Sequence, residues 1–368
     1  MKPNYPLRPE IAALPATVPF VGPEAQERNR GRPFTARIGA NECLFGPSPK
    51  AVAAMAEAGA EIWKYGDPEG HDLRHAIAAH HGVGPRNVVL GAGIDGLLGN
   101  TVRMFVEPGV AVVTSDGAYP TFNFHVLGYG GTLHKVAYRD DREDLGSLID
   151  MARRTRARLI YLSNPDNPMG TWWRAAEIAA MIGELPTDCL LLLDEAYCDF
   201  APDDAIPPLD MDDPRVLRYR TFSKAYGMAG ARVGYLLGEA GLIAEFEKVR
   251  DHYGMNRTAE IGAVAALADR EWLARTVALT AQARERIADI ARAANLAPIA
   301  SATNFVAIDC GRDTAFARAV LQAMLERGIF IRMPGAEPLS RCIRVSAGWP
   351  ADLDRFAEAL ADVLAELR

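Results

Sequence analysis

The chain has 368 residues, 49% of them apolar, and a formal charge of −7. That length accommodates a large core domain with a smaller one, and an acidic balance without basic blocks excludes nucleic acid as the organising partner. No apolar run reaches the length of a membrane span, and the five scattered cysteines, Cys43, Cys189, Cys198, Cys310 and Cys342, form neither a disulfide framework nor a zinc motif.

Taken in order, residues 1–35 are rich in proline and poor in periodicity. They are expected to form an extended arm that packs on the small domain. The opening MKPNYPLRPE sets prolines and charges where a secretory signal would be apolar, so a cytoplasmic protein is expected. ARIGANECLFGPSP predicts a short strand and turn, with Ser48 capping a helix that starts at Pro49. A second helix follows KYGDPEG. From Asn87 onward, strands NVVL, VAVVT, LHKVAY, RLIYLS and CLLLLD alternate with helices. Near-continuous apolar strands of this kind predict an α/β domain, with a mostly parallel sheet covered by helices on both faces, over roughly 36–250.

Past residue 250 the pattern changes. Residues 257–296 read as helical throughout, with Ile287, Ile290, Ala291 and Ala294 on one stripe. Strands NFVAI, IFIR and CIRVS, with a helix carrying Phe316, Val320 and Met324 and another carrying Phe356, Leu360 and Val363, then make a small α+β domain over 251–368.

Two motifs point away from the strongest polar cluster. VVLGAGIDGLL places Gly91, Gly93 and Gly96 between a strand and a helix, with Asp116 ending the next strand, which matches a dinucleotide fingerprint and an NAD-dependent oxidoreductase. The guaranteed physics is narrower, because free amides at a helix N-terminus bind any phosphate. His71 and His75 have the i, i+4 spacing of a zinc protease, but Asp72 replaces the glutamate base and no third ligand is apparent, so a solvated helix face is expected.

The polar groups that converge do so at the C-terminal ends of the predicted strands. Lys224 follows an apolar strand in RTFSKAYGMAGARVGY, with Ser223 beside it and Arg232 eight residues on, a hydroxyl and a guanidinium suited to phosphate. Asp194 ends CLLLLD, where a carboxylate is costly unless it meets a donor or cation. Tyr197 lies one turn later, Asn167 sits in NPDNPMG, and Tyr119 is placed to lay its ring over a flat ligand. Together these describe an aromatic, phosphorylated cofactor held as an imine.

Through these motifs, with ANECLFGP, KYGDPEG, GAGIDG, ATNFVAI, GIFIR and IRVSAG in the same order and spacing, the chain resembles the fold-type-I aminotransferases dependent on pyridoxal 5'-phosphate, and most of all the histidinol-phosphate aminotransferase family. The resemblance implies that Lys224 carries the cofactor, Asp194 pairs with its ring nitrogen, Asn167 and Tyr197 bind its ring oxygen, and Tyr119 stacks on it. It assigns the phosphate to Ser223, Arg232, the amides of Gly93, Ile94 and Asp95, and Tyr65 of a second subunit. Arg344, with Arg332 beside it, is implied to take the substrate anion. A homodimer with shared sites is implied as well, with an amino donor and a 2-oxo acid such as 2-oxoglutarate as substrates.

The chain departs from the family at Thr17, where a tyrosine is usual, at Cys43 in NECL, and at Gly96. Thr17 and Cys43 are expected near the substrate entrance, which leaves histidinol phosphate and an aromatic amino donor both open. A decarboxylase of the threonine-phosphate type shares the scaffold and is the alternative activity.

Overall fold

The computed structural model describes residues 5–16 and 21–367, so Thr17 lies outside the described residues. In chain order the strands are β1 (Ala36–Arg37), β2 (Val88–Gly91), β3 (Ala111–Ser115), β4 (Thr132–Val136), β5 (Leu159–Ser163) and β6 (Leu190–Asp194). They continue as β7 (Val216–Thr221), β8 (Gly234–Leu237), β9 (Ala297–Pro298), β10 (Phe305–Asp309), β11 (Ile329–Phe330) and β12 (Cys342–Ser346).

Seven of these form one sheet in the order β2-β8-β7-β6-β5-β3-β4. Strands β3 to β7 run parallel, whereas β8 is antiparallel to both its neighbours. The apolar runs that predicted these strands are buried from both sides. Tyr161, Leu192 and Leu217 pack into the layer containing Leu97, Phe122 and Val126, while Ile160, Leu162, Leu191 and Leu193 pack with Leu148, Ile149 and Ile178. Successive strand residues alternate between the two layers, so neither face tolerates a polar run. Each fully buried Leu or Ile contributes about 1.5–3 kcal/mol.

The parallel arrangement carries the functional consequence. The C-terminal ends of β3, β5, β6 and β7 lie along one edge of the sheet, and the loops that follow them open on the same side.

In the second unit β10 is flanked by β9 and β12, antiparallel to both. Its core gathers Ile287, Ala291, Val306, Ile308, Val320, Met324, Ile343, Val345, Phe356 and Leu360. Residues expected with the large domain also belong here. Strand β1 pairs in parallel with β11, and Ala36, Ile38 and Phe45 are buried in the same core. The helical stretch expected over 257–296 divides into Arg257–Ala268 and Arg270–Ala293. Asp269 leaves the helical path because its carboxylate accepts from Ser48 Oγ at 2.5 Å and Lys50 Nζ at 3.1 Å, at the start of the helix Pro49–Ala58.

The N-terminal arm is less extended than expected, holding helices Pro9–Ala12 and Pro23–Arg30. Among the described residues its second part rests on the small domain, where Arg32 donates to the Glu326 carbonyl at 3.0 Å. The first part lies on the large domain instead: Arg8 donates to the Gly128 carbonyl at 2.7 Å, at the end of the helix Pro120–Gly128.

Candidate active site

The strand-end loops, the 39–42 turn and the 332–337 loop enclose a cavity of about 960 Å³. Lys224, three residues after β7 ends at Thr221, lines it. Its Nζ donates to the Asn41 carbonyl at 3.1 Å and sits 5.4 Å from the Tyr197 ring centroid.

Asp194 is the last residue of β6. Its Oδ2 accepts from the Tyr161 hydroxyl at 2.6 Å and its Oδ1 from the Ala196 amide at 2.9 Å. Burial pushes its carboxyl up to about 6, against the pull of those two donors, so the group is ionised at neutral pH and poised for a cationic partner. Glu195, the next residue, is anchored behind the site by Arg218 and Arg220, whose Nε atoms reach its carboxylate at 3.1 Å and 2.8 Å. Burial opposes ionisation there, yet the two guanidiniums hold the carboxyl below its ordinary value.

The phosphate-like corner is built from backbone as much as side chains. Gly93 opens the helix Gly93–Phe105 at φ +80°, and a Cβ there would fall 2.4 Å from Arg232 Nη2. Gly234 is equally constrained, since a Cβ would meet the Gly93 carbonyl carbon at 2.9 Å. Arg232 adopts φ +59°, and its Nη1 donates to the Ala229 carbonyl at 2.8 Å and to Ser223 Oγ at 3.5 Å. The start of a helix, a hydroxyl and a guanidinium thus lie side by side, a set suited to an anion. Ile94 and Asp95 line the same corner of the cavity, and Tyr119 donates its hydroxyl to Asp95 Oδ1 at 2.9 Å. Burial raises the Tyr119 phenol well above its usual value, so it stays a neutral ring.

Asn167 lies in the loop after β5. That loop is held by Asp166, which accepts from the Tyr138 hydroxyl and the Met169 amide, both at 2.8 Å. Arg344 Nη1 donates to Asn167 Oδ1 at 2.7 Å, and its guanidinium lies 5.0 Å from the Phe305 ring. Arg332 and Arg344 are joined by a pair of backbone hydrogen bonds, so both guanidiniums reach the cavity wall. Among the described residues no carboxylate forms an ion pair with either, and Arg344 Nε has no hydrogen-bond partner. Burial lowers Arg344 to about 10, which leaves it charged at neutral pH.

Tyr65, expected to serve a second subunit, is 80% exposed, with its ring 4.9 Å from that of Tyr253, and does not line this chain's own cavity. Cys43 turns away from the entrance and packs against the small-domain core, where burial raises its thiol. The topology disfavours the dinucleotide alternative, as the weaker reading of that motif: among the described residues β2 pairs with β8 alone, and antiparallel, so the glycine turn opens no βαβ unit. Asp116 is tied instead to Lys135 at 3.0 Å. His71 and His75 are exposed on their helix, with ring centroids 4.0 Å apart.

Sequence reasoning missed Asn41, Tyr161 and Asn304. Tyr161 carried a faint signal, since a phenol inside an apolar strand needs a buried acceptor. Asn304 donates to the Asn41 carbonyl at 3.1 Å, a contact across some 260 residues that no local pattern announces.

The family model for aminotransferase class I and II matches residues 36–360. The chain is 35% identical over 336 residues to histidinol-phosphate aminotransferase 1 of Mesorhizobium japonicum, covering 89% of this chain and 90% of that protein. It is also 35% identical to an aromatic amino acid aminotransferase of Thermobifida fusca, covering 96% of each. The structure matches a crystal structure of histidinol-phosphate aminotransferase from Sinorhizobium meliloti in complex with pyridoxal-5'-phosphate, with a TM-score of 0.97 and 51% identity over 100% of both chains.

Proposed function

Because the chain belongs to the class I and II aminotransferase family, we propose that it moves the amino group of histidinol phosphate to a 2-oxo acid such as 2-oxoglutarate. It is a pyridoxal phosphate-dependent aminotransferase with the α/β fold of the fold-type-I enzymes. The observation that carries the choice of donor is the pair Arg332 and Arg344, two guanidiniums on one cavity wall with no carboxylate in ion-pair contact among the described residues. Two adjacent guanidiniums, each hydrogen-bonded only to a neutral oxygen among the described residues (Arg332 to the Val21 carbonyl, Arg344 to Asn167 Oδ1), suit a phosphate in one half-reaction and a carboxylate in the other.

The donor set fits the cofactor. Gly93 leaves room for the Arg232 guanidinium, and the helix amides with Ser223 complete a phosphate cradle. When bound, pyridoxal phosphate supplies a sink for the electrons left as the substrate Cα loses its proton. Asp194 would accept a charge-assisted hydrogen bond from the protonated ring nitrogen, and the Tyr119 ring would pack against the cofactor ring. Asn167 and Tyr197 would donate to the ring oxygen. Lys224 would take the Cα proton as a general base and return it as an acid.

We further propose a homodimer. Ile62, Trp63, Tyr65 and Tyr253 are 59%, 79%, 80% and 55% exposed, an apolar patch that supports a second copy as its cover. Tyr65 then reaches the partner's phosphate.

The deciding experiment measures kcat/KM of the purified protein for histidinol phosphate, histidinol, phenylalanine and tyrosine with 2-oxoglutarate. Histidinol phosphate is expected to lead. The relative from Thermobifida fusca favours an aromatic donor as the second reading, and phenylalanine or tyrosine ahead of histidinol phosphate would establish it. Release of CO₂ without need for a 2-oxo acid would replace transamination by decarboxylation.

A further inference from the structure

The geometry points to Asn41, locked by Ser346, as a positioning residue that aims the Tyr197 hydroxyl proton into the cavity. Asn41 is buried and holds φ +56°, a left-handed conformation that asparagine tolerates better than most side chains. In that conformation its carbonyl receives Lys224 Nζ, and its own amide donates to Ser346 Oγ at 3.0 Å.

The direction of every proton follows from that last bond. The Ser346 oxygen already accepts from the Asn41 backbone, and its hydroxyl proton has one acceptor among the described residues, Asn41 Oδ1 at 3.3 Å. Oδ1 therefore faces Ser346, and Nδ2 faces Tyr197, donating to its hydroxyl oxygen at 3.1 Å. A hydroxyl that accepts from Nδ2 must send its own proton elsewhere. The Tyr197 ring is buried edge-on against Phe305, which leaves the cavity as the direction open to that proton. Were the Asn41 amide reversed, the phenol would donate to Oδ1, and the cavity would face a lone pair.

Tyr197 is thereby a preset donor before any ligand arrives. The lock sits on β12 two residues beyond Arg344, on the same side of the strand, so the strand that offers a cation to substrate also sets the polarity of the phenol. This inference rests on Tyr197 donating to the ring oxygen of the cofactor.

The test reads the pH at which the lysine-linked cofactor changes its visible absorption, a quantity independent of turnover. A donor on the ring oxygen weakens that oxygen's hold on the neighbouring imine proton, so its loss raises the transition pH. Tyr197→Phe and Asn41→Gly are each expected to raise it by about 0.5 to 1 unit. The glycine keeps the left-handed backbone that holds Lys224. Adding Asn41→Gly to Tyr197→Phe is expected to produce no further rise, because Asn41 acts only through Tyr197. Ser346→Ala, which frees the amide to turn, is expected to shift the transition in the same direction. A shift in Tyr197→Phe with none in either Asn41→Gly or Ser346→Ala, or full additivity in the double variant, would overturn the positioning role. No shift in Tyr197→Phe would overturn the donor assignment of Tyr197 and this inference with it.

Discussion

Arg344 donates through Nη1 to Asn167 Oδ1 at 2.7 Å. Because that contact occupies the amide oxygen, the Asn167 nitrogen is left to donate into the cavity. A residue of the small domain thus orients a residue of the large one. Replacing Arg344 by Lys keeps the charge but removes the planar fork that reaches both Asn167 and an anion. Arg344→Lys is expected to lower kcat/KM by about 10- to 100-fold, the loss of one charge-assisted hydrogen bond. The check is steady-state kinetics with both substrates, alongside the cofactor absorption spectrum.

Lys224→Ala is expected to abolish turnover without unfolding the protein, since the side chain's hydrogen bond among the described residues goes to a carbonyl that Asn304 also serves. Circular dichroism and the transamination rate separate the two effects. Near wild-type rates would end the assignment of Lys224 as the cofactor-linking amine.

For Asp194 the expectation is a pH signature. Burial raises its carboxyl from 3.8 to about 6 in the protein free of cofactor, so ionising it there costs stability. Well below pH 4 the group is protonated in folded and unfolded chains alike and the cost vanishes; it grows between about pH 4 and 6, where the unfolded chain alone is ionised, and levels off above 6. Asp194→Asn should therefore gain stability relative to wild type between pH 4 and 7, by on the order of 2 kcal/mol. Denaturant midpoints of the two cofactor-free proteins across that range test it. The same variant should lose several orders of magnitude in turnover, and a loss below about tenfold would make Asp194 a structural residue.

Gly93→Ala sets a Cβ where Arg232 Nη2 now lies, 2.4 Å away, at a backbone φ of +80°. The guanidinium must leave the cradle, so cofactor affinity is expected to fall by about tenfold or more, with about 1–2 kcal/mol of added backbone strain. Equilibrium dialysis of pyridoxal phosphate reads the first effect and thermal melting the second. Unchanged affinity would remove the phosphate from this corner.

Tyr65→Phe should weaken cofactor retention by about 1.5–3 kcal/mol if its hydroxyl serves the partner's phosphate. Heterodimers of Tyr65→Phe and Lys224→Ala chains, isolated through two different tags, should recover wild-type behaviour in one site. A monomeric mass with full activity, or silent heterodimers, would rule out shared sites.

The chain's local patterns determined a good deal. Apolar runs such as LIYLS and LLLLD read as strands because burial on both faces demands consecutive apolar residues, and Ser48 before Pro49 read as a helix start because its hydroxyl caps the Lys50 and Ala51 amides. The Lys224, Asp194 and Arg232 motifs likewise stood out by their immediate neighbours, and the structure brings all three to the wall of one cavity. Tertiary structure alone decided the rest. β8 enters the sheet antiparallel between β2 and β7, Ala36 and Ile38 join the small-domain core beside β11, and the helix breaks at Asp269 to meet Ser48. Asn41 reaches Tyr197, Asn304 and Ser346 across 156, 263 and 305 residues. Periodicity and turn chemistry report what a segment prefers within a few residues. The partners of a buried amide or carboxylate are chosen by whichever distant groups the packed sheet brings within three ångströms, and no short window of sequence contains them.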